Sequence, residues 1–160
     1  MASVEAAAVN VVIRPAASGD LDQIVQLLAD DMLGREREDL SAEARPKYRD
    51  ALAAVIASPE NTLFMMEEDG RLIGCLQLTM IPGLSHEGLT RAQIESVRIA
   101  ADRRGKGLGA QLIRFAIDEA KNCGAGIVQL TTSASRANAH RFYEQLGFEQ
   151  THKGFKLIFR

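Results

Sequence analysis

The stretch that decides the fold is Arg104-Gly105-Lys106-Gly107-Leu108-Gly109-Ala110, a glycine-rich loop between a predicted strand and a predicted helix. The strand covers residues 92–99, which alternate in polarity, and the helix carries an apolar stripe that begins at Leu108. Backbone N–H groups at a helix N-terminus, when glycines leave them uncovered, form a site for an anion. The loop therefore predicts binding of a phosphorylated ligand.

The loop must also be compared with two known nucleotide-binding patterns. Gly105-x-Gly107-x-x-Ala110 fits the dinucleotide fingerprint G-x-G-x-x-G/A. That fingerprint needs an acidic residue about twenty positions later to hold a ribose, whereas residues 124–127 read Gly-Ala-Gly-Ile and carry no carboxylate. The P-loop pattern G-x-x-x-x-G-K-[ST] is absent from the sequence. A purely structural glycine turn is a third alternative.

The remaining elements are predicted from apolar periodicity and turn residues. Their order is a strand, two helices, three strands and then alternating helix and strand. The strands are predicted at residues 11–14, 62–67, 72–80, 92–99 and 127–132, with a hairpin turn at Asp69-Gly70 and a final hairpin at residues 148–159. This order indicates one α/β or α+β sheet domain over residues 1–160.

Composition and charge argue against several classes of protein. The 160 residues carry 19 basic and 21 acidic side chains, for a formal charge of -2, so no global positive field favours nucleic acid. No apolar run approaches the ~18 residues of a membrane helix, and the first twelve residues do not read as a signal peptide. Cys75 and Cys123 lack C-x-x-C spacing, which predicts free thiols of a cytoplasmic protein without a disulfide or a metal site.

Three segments together resemble the GNAT superfamily of N-acetyltransferases. Arg104, Gly107 and Gly109 meet its signature R/Q-x-x-G-x-G/A. The segment Glu95-Ser96-Val97-Arg98-Ile99 lies on the preceding strand, and residues 138–148 are similar to the family's later segment, with its F-Y-x-x-x-G-F core. The segments cover about residues 92–148, and their order and spacing together are specific.

The resemblance implies a fold and a cosubstrate. The GNAT fold is a mixed, mostly antiparallel sheet with helices on both faces, splayed between the strands that hold Val97 and Ile127 so that acetyl-CoA enters. The loop's amides would bind the pyrophosphate of coenzyme A, Lys106 and Arg104 would add charge, and the strand would pair with the pantetheine. The implied cofactor-binding residues are Val97, Arg98, Ile99, Arg104, Gly105, Lys106, Gly107, Leu108, Gly109, Ala110 and Asn138.

The implied activity is direct transfer of an acetyl group to a primary amine in a ternary complex. An alkylamine with a pKa near 10.4 is mostly protonated at neutral pH, so a base must take its proton, and an acid helps the thiolate to leave. By resemblance Tyr143 is the general acid, and Glu95 is a candidate base that acts directly or through water. The structural alternatives are a core position for Tyr143, a rim carboxylate or ion pair for Glu95, and a helix-start polar residue for Asn138.

The sequence leaves the acceptor amine open. Residues 34–39 lie where the family often builds part of the acceptor site, and Glu36, Glu38 or Asp39 would attract a cationic amine, with a solvated face as the alternative. Residues 131–148 resemble small-amine acetyltransferases, including aminoalkylphosphonate-acetylating ones, which favours a small-molecule acceptor. A protein lysine or N-terminus, or a non-catalytic acyl-CoA-binding regulatory module, are the alternatives. The oligomeric state is also open, and a homodimer is one form that the resemblance allows.

Overall fold

One mixed sheet organises the part of the protein that the computed structural model describes, residues 10–30 and 32–159. Its strands are β1 (Val11–Pro15), β2 (Asn61–Glu68), β3 (Arg71–Ile81), β4 (Arg91–Ile99) and β5 (Ile127–Leu130). They lie side by side in that order. The first four pair antiparallel, and β5 runs parallel to β4. The mixed, mostly antiparallel sheet expected from the resemblance is confirmed.

The helices connect these strands. They are α1 (Leu21–Ala29), α2 (Met32–Arg35), α3 (Arg45–Ala57), α4 (Ser85–Gly88), α5 (Leu108–Asn122) and α6 (Ala137–Gln145). Short 3-10 turns occupy Ser18–Asp20 and Ala101–Arg103. α4 is a single irregular turn, because His86 and Glu87 have φ angles of 53° and 60°. No helix in the described ranges is long and apolar enough to cross a membrane.

Helices cover both faces of the sheet, as expected. On the side called here the α5 face, Leu112 packs onto Leu76 of β3 and Ile94 of β4, and all three are at most 1% exposed. On the opposite side, called the α1 face, α1 and α3 pack onto a separate cluster that includes Leu52 and Cys75. Alternation along β3 places Cys75 and Leu76 on opposite faces.

The hairpin between β2 and β3 forms as the sequence predicts. Asp69 and Gly70 have φ angles of 49° and 83°. Positive φ at both central residues produces a turn whose twist matches that of the two strands. The pairing runs from Glu68 opposite Arg71 to Asn61 opposite Thr79.

The predicted hairpin at residues 148–159 is wrong. The structure places no strand in this range, and β5 ends at Leu130, two residues earlier than predicted. The alternating apolar pattern reports strand propensity, but a strand also needs an edge to pair with. Phe155 and Phe159 are 94% and 89% exposed, so within the described residues this segment pairs with no edge and packs against no core.

Candidate active site

A cleft opens where β4 and β5 separate. The two strands pair only from Arg91 opposite Ile127 to Ile94 opposite Leu130. β4 continues to Ile99, whereas the chain leaves the sheet after Leu130. Within the described residues, positions 95–99 therefore have no strand partner on the β5 side. The sheet splays at the position that the resemblance implies.

A β-bulge lies at the start of this free stretch. Ser96 and Val97 of β4 together oppose the single residue Leu76 of β3. Ser96 has a φ of 53°, in the left-handed region that non-glycine residues seldom adopt. A bulge turns the following side chains and interrupts the hydrogen-bond ladder. The sequence carries no signal for it, because neither a glycine nor a proline marks the position.

Cys75 lies against the bulge but is not a nucleophile. Its Sγ donates a hydrogen bond to the Ser96 carbonyl oxygen at 3.4 Å. Burial in an apolar environment raises the pKa of the Cys75 thiol to about 12. The side chain is therefore a protonated core residue, which agrees with its interpretation from the sequence.

The glycine-rich loop presents an open helix N-terminus. Gly105 and Gly107 have φ angles of 74° and 78°, and Gly107 is the N-cap of α5. The N–H of Gln111 makes the first intrahelical bond, to the Gly107 carbonyl at 3.1 Å, so the amides of residues 108–110 have no acceptor within the helix. No atom outside the adjoining residues lies within 4 Å of a Cβ built at Gly105 or Gly107. The loop fits a phosphate group, because backbone donors and the positive end of α5 face open space.

Arg104 joins the loop to the rest of the site. Its Nε donates to the Ile99 carbonyl at 2.9 Å, and its Nη2 donates to the Asp30 carbonyl at 2.7 Å. The Asp30 carboxylate lies 3.6 Å from the same guanidinium and accepts the N–H of Ala101 at 2.7 Å. Arg104 thus positions the loop against β4 and the end of α1, while Lys106 is exposed. Asp30 was not a candidate from the sequence, since its partners lie more than seventy residues away.

The start of α5 packs against α6. A Cβ added at Gly109 would lie 3.5 Å from Phe142 Cζ and 3.8 Å from Ile99 Cγ1. This close approach joins three segments that are well separated in the sequence. It places the residue after Phe142, which is Tyr143, near the loop.

Tyr143 is half-buried on the α5 face. Its ring makes edge contacts with Phe142 and Phe148, at centroid distances of 5.1 and 5.9 Å. Burial raises the pKa of Tyr143, and the positive charges of Arg136 and Arg98 partly oppose this shift. Within the described residues the hydroxyl has no hydrogen-bond partner. The side chain combines a packed ring with a protonated hydroxyl that can donate to a ligand.

Glu95 lies on the α1 face. It pairs with Gln77 across β4 and β3, and both side chains point away from the core that contains Ile94. Glu95 is exposed, and its carboxylate makes no hydrogen bond or ion pair within residues 10–30 and 32–159. It is therefore not a structural ion-pair residue in the described chain.

A row of side-chain amides surrounds Glu95. Gln129 Nε2 donates to Gln93 Oε1 at 2.8 Å, and Gln77 Nε2 donates to Asn61 Oδ1 at 3.2 Å. Gln93 and Gln77 lie on the same face as Glu95, because they alternate with buried residues along their strands. The sequence does predict this polar face, because every second residue is polar in the ranges 93–95 and 77–79.

The other candidates lie outside the cleft or serve local contacts. Asn138 is exposed at the start of α6, and its Oδ1 accepts a hydrogen bond from Arg141. Glu38 accepts the hydroxyl hydrogen of Tyr48 at 2.8 Å, and hydrogen bonds from Ser41 lower the pKa of Asp39. Glu36 is exposed.

A surface pocket of about 400 Å³ adjoins the acidic run. Its lining consists of Gln26, Ala29, Asp30, Arg35, Glu38 and Leu40. None of these residues belongs to β4, β5 or α6, so the pocket does not include the candidate reactive groups. The pocket contains neither Glu95, nor Tyr143, nor a residue of the glycine-rich loop.

Comparisons with known proteins bear on this geometry. The chain matches the family described as "Acetyltransferase (GNAT) family" over residues 21–148. It is 29% identical over 143 residues to the aminoalkylphosphonate N-acetyltransferase of Salmonella typhimurium, covering 89% of this chain and 88% of that protein.

Two solved structures are also similar. A crystal structure described as a transcriptional regulator from Bacillus halodurans C-125 has a TM-score of 0.90 at 43% identity, covering 94% of this chain and 100% of that one. An aminoglycoside N-acetyltransferase in complex with CoA has a TM-score of 0.78 at 16% identity, covering 96% of this chain and 97% of that one, which shows a shared fold.

Proposed function

Because the chain belongs to the GNAT family of acetyl-CoA-dependent N-acetyltransferases, we propose that it acetylates the primary amine of a small molecule. The observation that carries the proposal is the splay between β4 and β5. In this proposal the α5 N-terminus binds the ligand at the end of the cleft, with Tyr143 acting from the α5 face and Glu95 from the α1 face. In this proposal residues 1–160 form one domain with one reaction site.

Residues of the loop and of β4 would hold acetyl-CoA, which supplies an acetyl thioester open to attack by a neutral amine. The loop of residues 104–110, with the open amides of residues 108–110, suits the pyrophosphate, and Lys106 adds a positive charge. The unpaired edge at Val97, Arg98 and Ile99 suits the amide groups of the pantetheine arm, as an added strand would pair with a sheet edge. Asn138, exposed at the start of α6, would contribute its side-chain amide to the bound cosubstrate.

The proposed chemistry divides two proton transfers between two residues. Glu95 takes the proton of the amine, directly or through water, so that its nitrogen can attack the carbonyl carbon. The C–N bond forms as the C–S bond breaks, and Tyr143 gives its hydroxyl proton to the departing sulfur. Burial keeps that proton on Tyr143 beforehand, and the positive charges of Arg136 and Arg98 stabilise the phenolate afterwards. A covalent enzyme intermediate has no support, because the buried Cys75 stays protonated.

The name of one relative and the charges near the cleft favour a small acceptor that carries an anionic group. The Salmonella typhimurium relative acetylates aminoalkylphosphonates by its name. Arg98 pairs with Cys75 on the α1 face, where Glu95 also lies, so the anionic group and the amine of one acceptor would meet side chains of opposite charge on the same face. An amine linked to a phosphonate has the complementary pair of charges.

The test is coenzyme A release from acetyl-CoA with matched acceptors. We expect release with 2-aminoethylphosphonate, slower release with ethanolamine, which lacks the phosphonate, and no release with lysine-containing or alanine-initiated peptides. Mass spectrometry identifies the acetylated product. Release with the peptides alone would overturn a small-molecule acceptor.

A second candidate is an acyl-CoA-binding regulator without turnover. The Bacillus halodurans protein, 43% identical, is described as a transcriptional regulator, which favours this alternative. Such a module would bind acetyl-CoA yet release no coenzyme A with any acceptor, and replacing Tyr143 would leave its ligand affinity unchanged. Turnover that depends on Tyr143 excludes it.

The two cysteines support a cytoplasmic location. Cys75 is buried, Cys123 is exposed, and both are free thiols. Exposed free thiols persist in reducing compartments. Cell fractionation of the native host, with an antibody against the protein, tests this part of the proposal.

A further inference from the structure

A chain of side-chain hydrogen bonds leads from the end of α3 to the strand beside Glu95. Ser58, which follows α3, donates its hydroxyl hydrogen to the Glu60 carboxylate at 3.2 Å. Asn61 Nδ2 donates to Ser58 Oγ at 2.8 Å, and Gln77 Nε2 donates to Asn61 Oδ1 at 3.2 Å. Gln77 in turn lies directly opposite Glu95 in the pairing of β3 with β4. The chain therefore connects the protein surface to the neighbour of the proposed base.

The carboxylate at one end of this chain determines the direction of every bond in it. A carboxylate only accepts hydrogen bonds, so Ser58 gives its single hydroxyl hydrogen to Glu60. Ser58 Oγ must then accept from the amide nitrogen of Asn61. The amide oxygen of Asn61 consequently faces β3, where it also accepts the hydroxyl hydrogen of Thr79 at 2.6 Å. Only the nitrogen of the Gln77 amide can meet that oxygen, since two acceptors would repel each other.

This orientation leaves the oxygen of the Gln77 amide beside Glu95. Gln77 Nε2 is directed toward β2, so Oε1 at the other end of the amide faces away from β2. Within residues 10–30 and 32–159, neither Gln77 Oε1 nor the Glu95 carboxylate accepts a hydrogen bond. Residues directly opposite each other in an antiparallel pair have Cβ atoms roughly 4.5–5.5 Å apart. Two hydrogen-bond acceptors thus lie next to each other on the α1 face.

We propose that Gln77 Oε1 and the Glu95 carboxylate together bind the ammonium group of the acceptor, and that Asn61 is the positioning residue for Gln77. A primary ammonium group has three N–H donors, which suits two adjacent acceptors. Glu95 takes one proton and becomes a neutral carboxylic acid, while the neutral amine keeps an N–H bonded to Gln77. This inference rests on the proposed function, because it uses Glu95 as the base.

The reverse orientation of Gln77 would oppose amine binding. Its Nε2 would then donate to the Glu95 carboxylate and compete with the ammonium group for the same oxygens. Asn61 prevents this by accepting Nε2 on the side of β2. Recognition of the amine should therefore depend on Asn61, although Asn61 makes no contact with the acceptor in this proposal.

The test is calorimetric titration of the protein saturated with coenzyme A, which has no acetyl group to transfer. The two probes are 2-aminoethylphosphonate and ethylphosphonate, which lacks the amine, so the ratio of their affinities measures recognition of the ammonium group. We expect Asn61→Leu to lower this ratio by about tenfold, the usual effect of losing a hydrogen bond to a charged group. Gln77→Leu should lower it equally, and the double variant no further.

Two other variants separate orientation from a merely structural role. Asn61→Asp keeps an oxygen for Gln77 Nε2 and should not lower the ratio. Thr79→Val removes the other donor to Asn61 Oδ1 but leaves the bond to Gln77, so its ratio should equal that of the wild type. Circular dichroism and the affinity for coenzyme A should be unchanged in all variants. If Asn61→Leu does not fold, Ser58→Ala replaces it, because it releases Asn61 from its anchor and should also lower the ratio.

The outcomes distinguish this inference from the proposed function. A wild type that does not prefer the amine, an unchanged ratio in Asn61→Leu and Gln77→Leu, or an equal fall in Thr79→Val overturns the role of Gln77 and Asn61. Release of coenzyme A from acetyl-CoA is measured separately. Release with an unchanged ratio in these variants overturns the ammonium site alone, whereas the expected ratios without release support the ammonium site and overturn acetyl transfer.

Discussion

Tyr143 and Glu95 lie on opposite faces of the sheet, and Glu95 is the first residue of β4 beyond its pairing with β5. Tyr143 packs with the core of the α5 face, whereas Glu95 pairs with Gln77 on the α1 face. In the proposed mechanism, a thioester held in the gap would be reached by both side chains at once. The amine can then approach from the α1 face while the thiolate leaves toward the α5 face, so base and acid do not compete for one position.

Replacing Tyr143 tests its role as the general acid. We expect Tyr143→Phe to lower kcat by about 10²–10⁴-fold, the usual range for a general acid, with acetyl-CoA affinity unchanged. Stability should also be unchanged, because the hydroxyl has no partner in the described chain. The other tyrosine supplies the control: Tyr48→Phe removes a hydroxyl bonded to Glu38 and should keep full turnover. Equal turnover of both variants would contradict the role of Tyr143.

Replacing Glu95 tests its role as the general base, through the pH dependence of kcat. Glu95→Gln should slow turnover most at pH values well below the pKa of the acceptor amine, where a proton must be removed. The ratio of wild-type to variant kcat should fall toward one as the pH approaches that pKa, near 10 for an alkylamine. Glu149→Gln, an exposed carboxylate after α6, should show no effect. A ratio that is constant across pH would assign Glu95 to binding instead.

Replacing Gly107 tests the anion site. Gly107→Glu places a carboxylate beside the open amides, and its repulsion of the pyrophosphate should weaken acetyl-CoA binding by about tenfold or more, since roughly 1.4 kcal/mol gives a factor of ten. Gly70→Glu is the control, because Gly70 has a similar φ of 83°, open surroundings and a position in the hairpin turn. Calorimetric titration should show lost affinity in the first variant alone.

Replacing Asp20 tests the ion pair that joins β1 to α1. The Asp20 side chain is 11% exposed, accepts Arg14 at 2.8 and 3.0 Å, and accepts the Ala17 N–H at 2.8 Å. Hydrogen bonding from Arg14 lowers the pKa of Asp20 below that of an unfolded chain. The resulting stability is present above the unfolded pKa of about 3.9 and is lost as the pH falls through the lower folded pKa.

Asp20→Asn should therefore reduce the free energy of unfolding by about 1–3 kcal/mol at pH 7. The difference from the wild type should shrink as the pH falls below about 3.9. Urea unfolding across pH measures it. The exposed Asp50 gives the control, and Asp50→Asn should change stability by less than about 0.5 kcal/mol. A difference for Asp20→Asn that stays constant down to the lowest pH would exclude the charge as its source.

The sequence predicts the features that local chemistry controls. Asp69-Gly70 specifies the hairpin because few residues adopt positive φ. The loop before α5 is likewise predictable, since Gly105 and Gly107 adopt the positive φ that leaves the helix N-terminus uncovered. The burial of Leu52 and Leu112 is predicted by the helical spacing of apolar residues around them.

Features that depend on distant partners are not predictable in this way. The bulge at Ser96 arises from the register between β3 and β4, which no short pattern reports. Asp30 holds Arg104 across more than seventy residues. The pattern of residues 155–159 favours a strand, but a pattern contains no information about whether an edge is available for pairing, and the structure places no strand there.

The measurement that tests the central claim most directly is thermal unfolding with acetyl-CoA, and with NADH as a control. Acetyl-CoA at about a hundred times its dissociation constant should add roughly 2.7 kcal/mol to the free energy of unfolding, which raises Tm by several degrees. NADH should leave Tm unchanged, because the loop lacks the acidic partner of a dinucleotide site. An unchanged Tm at millimolar acetyl-CoA would contradict the assignment of the α5 N-terminus as the cosubstrate site.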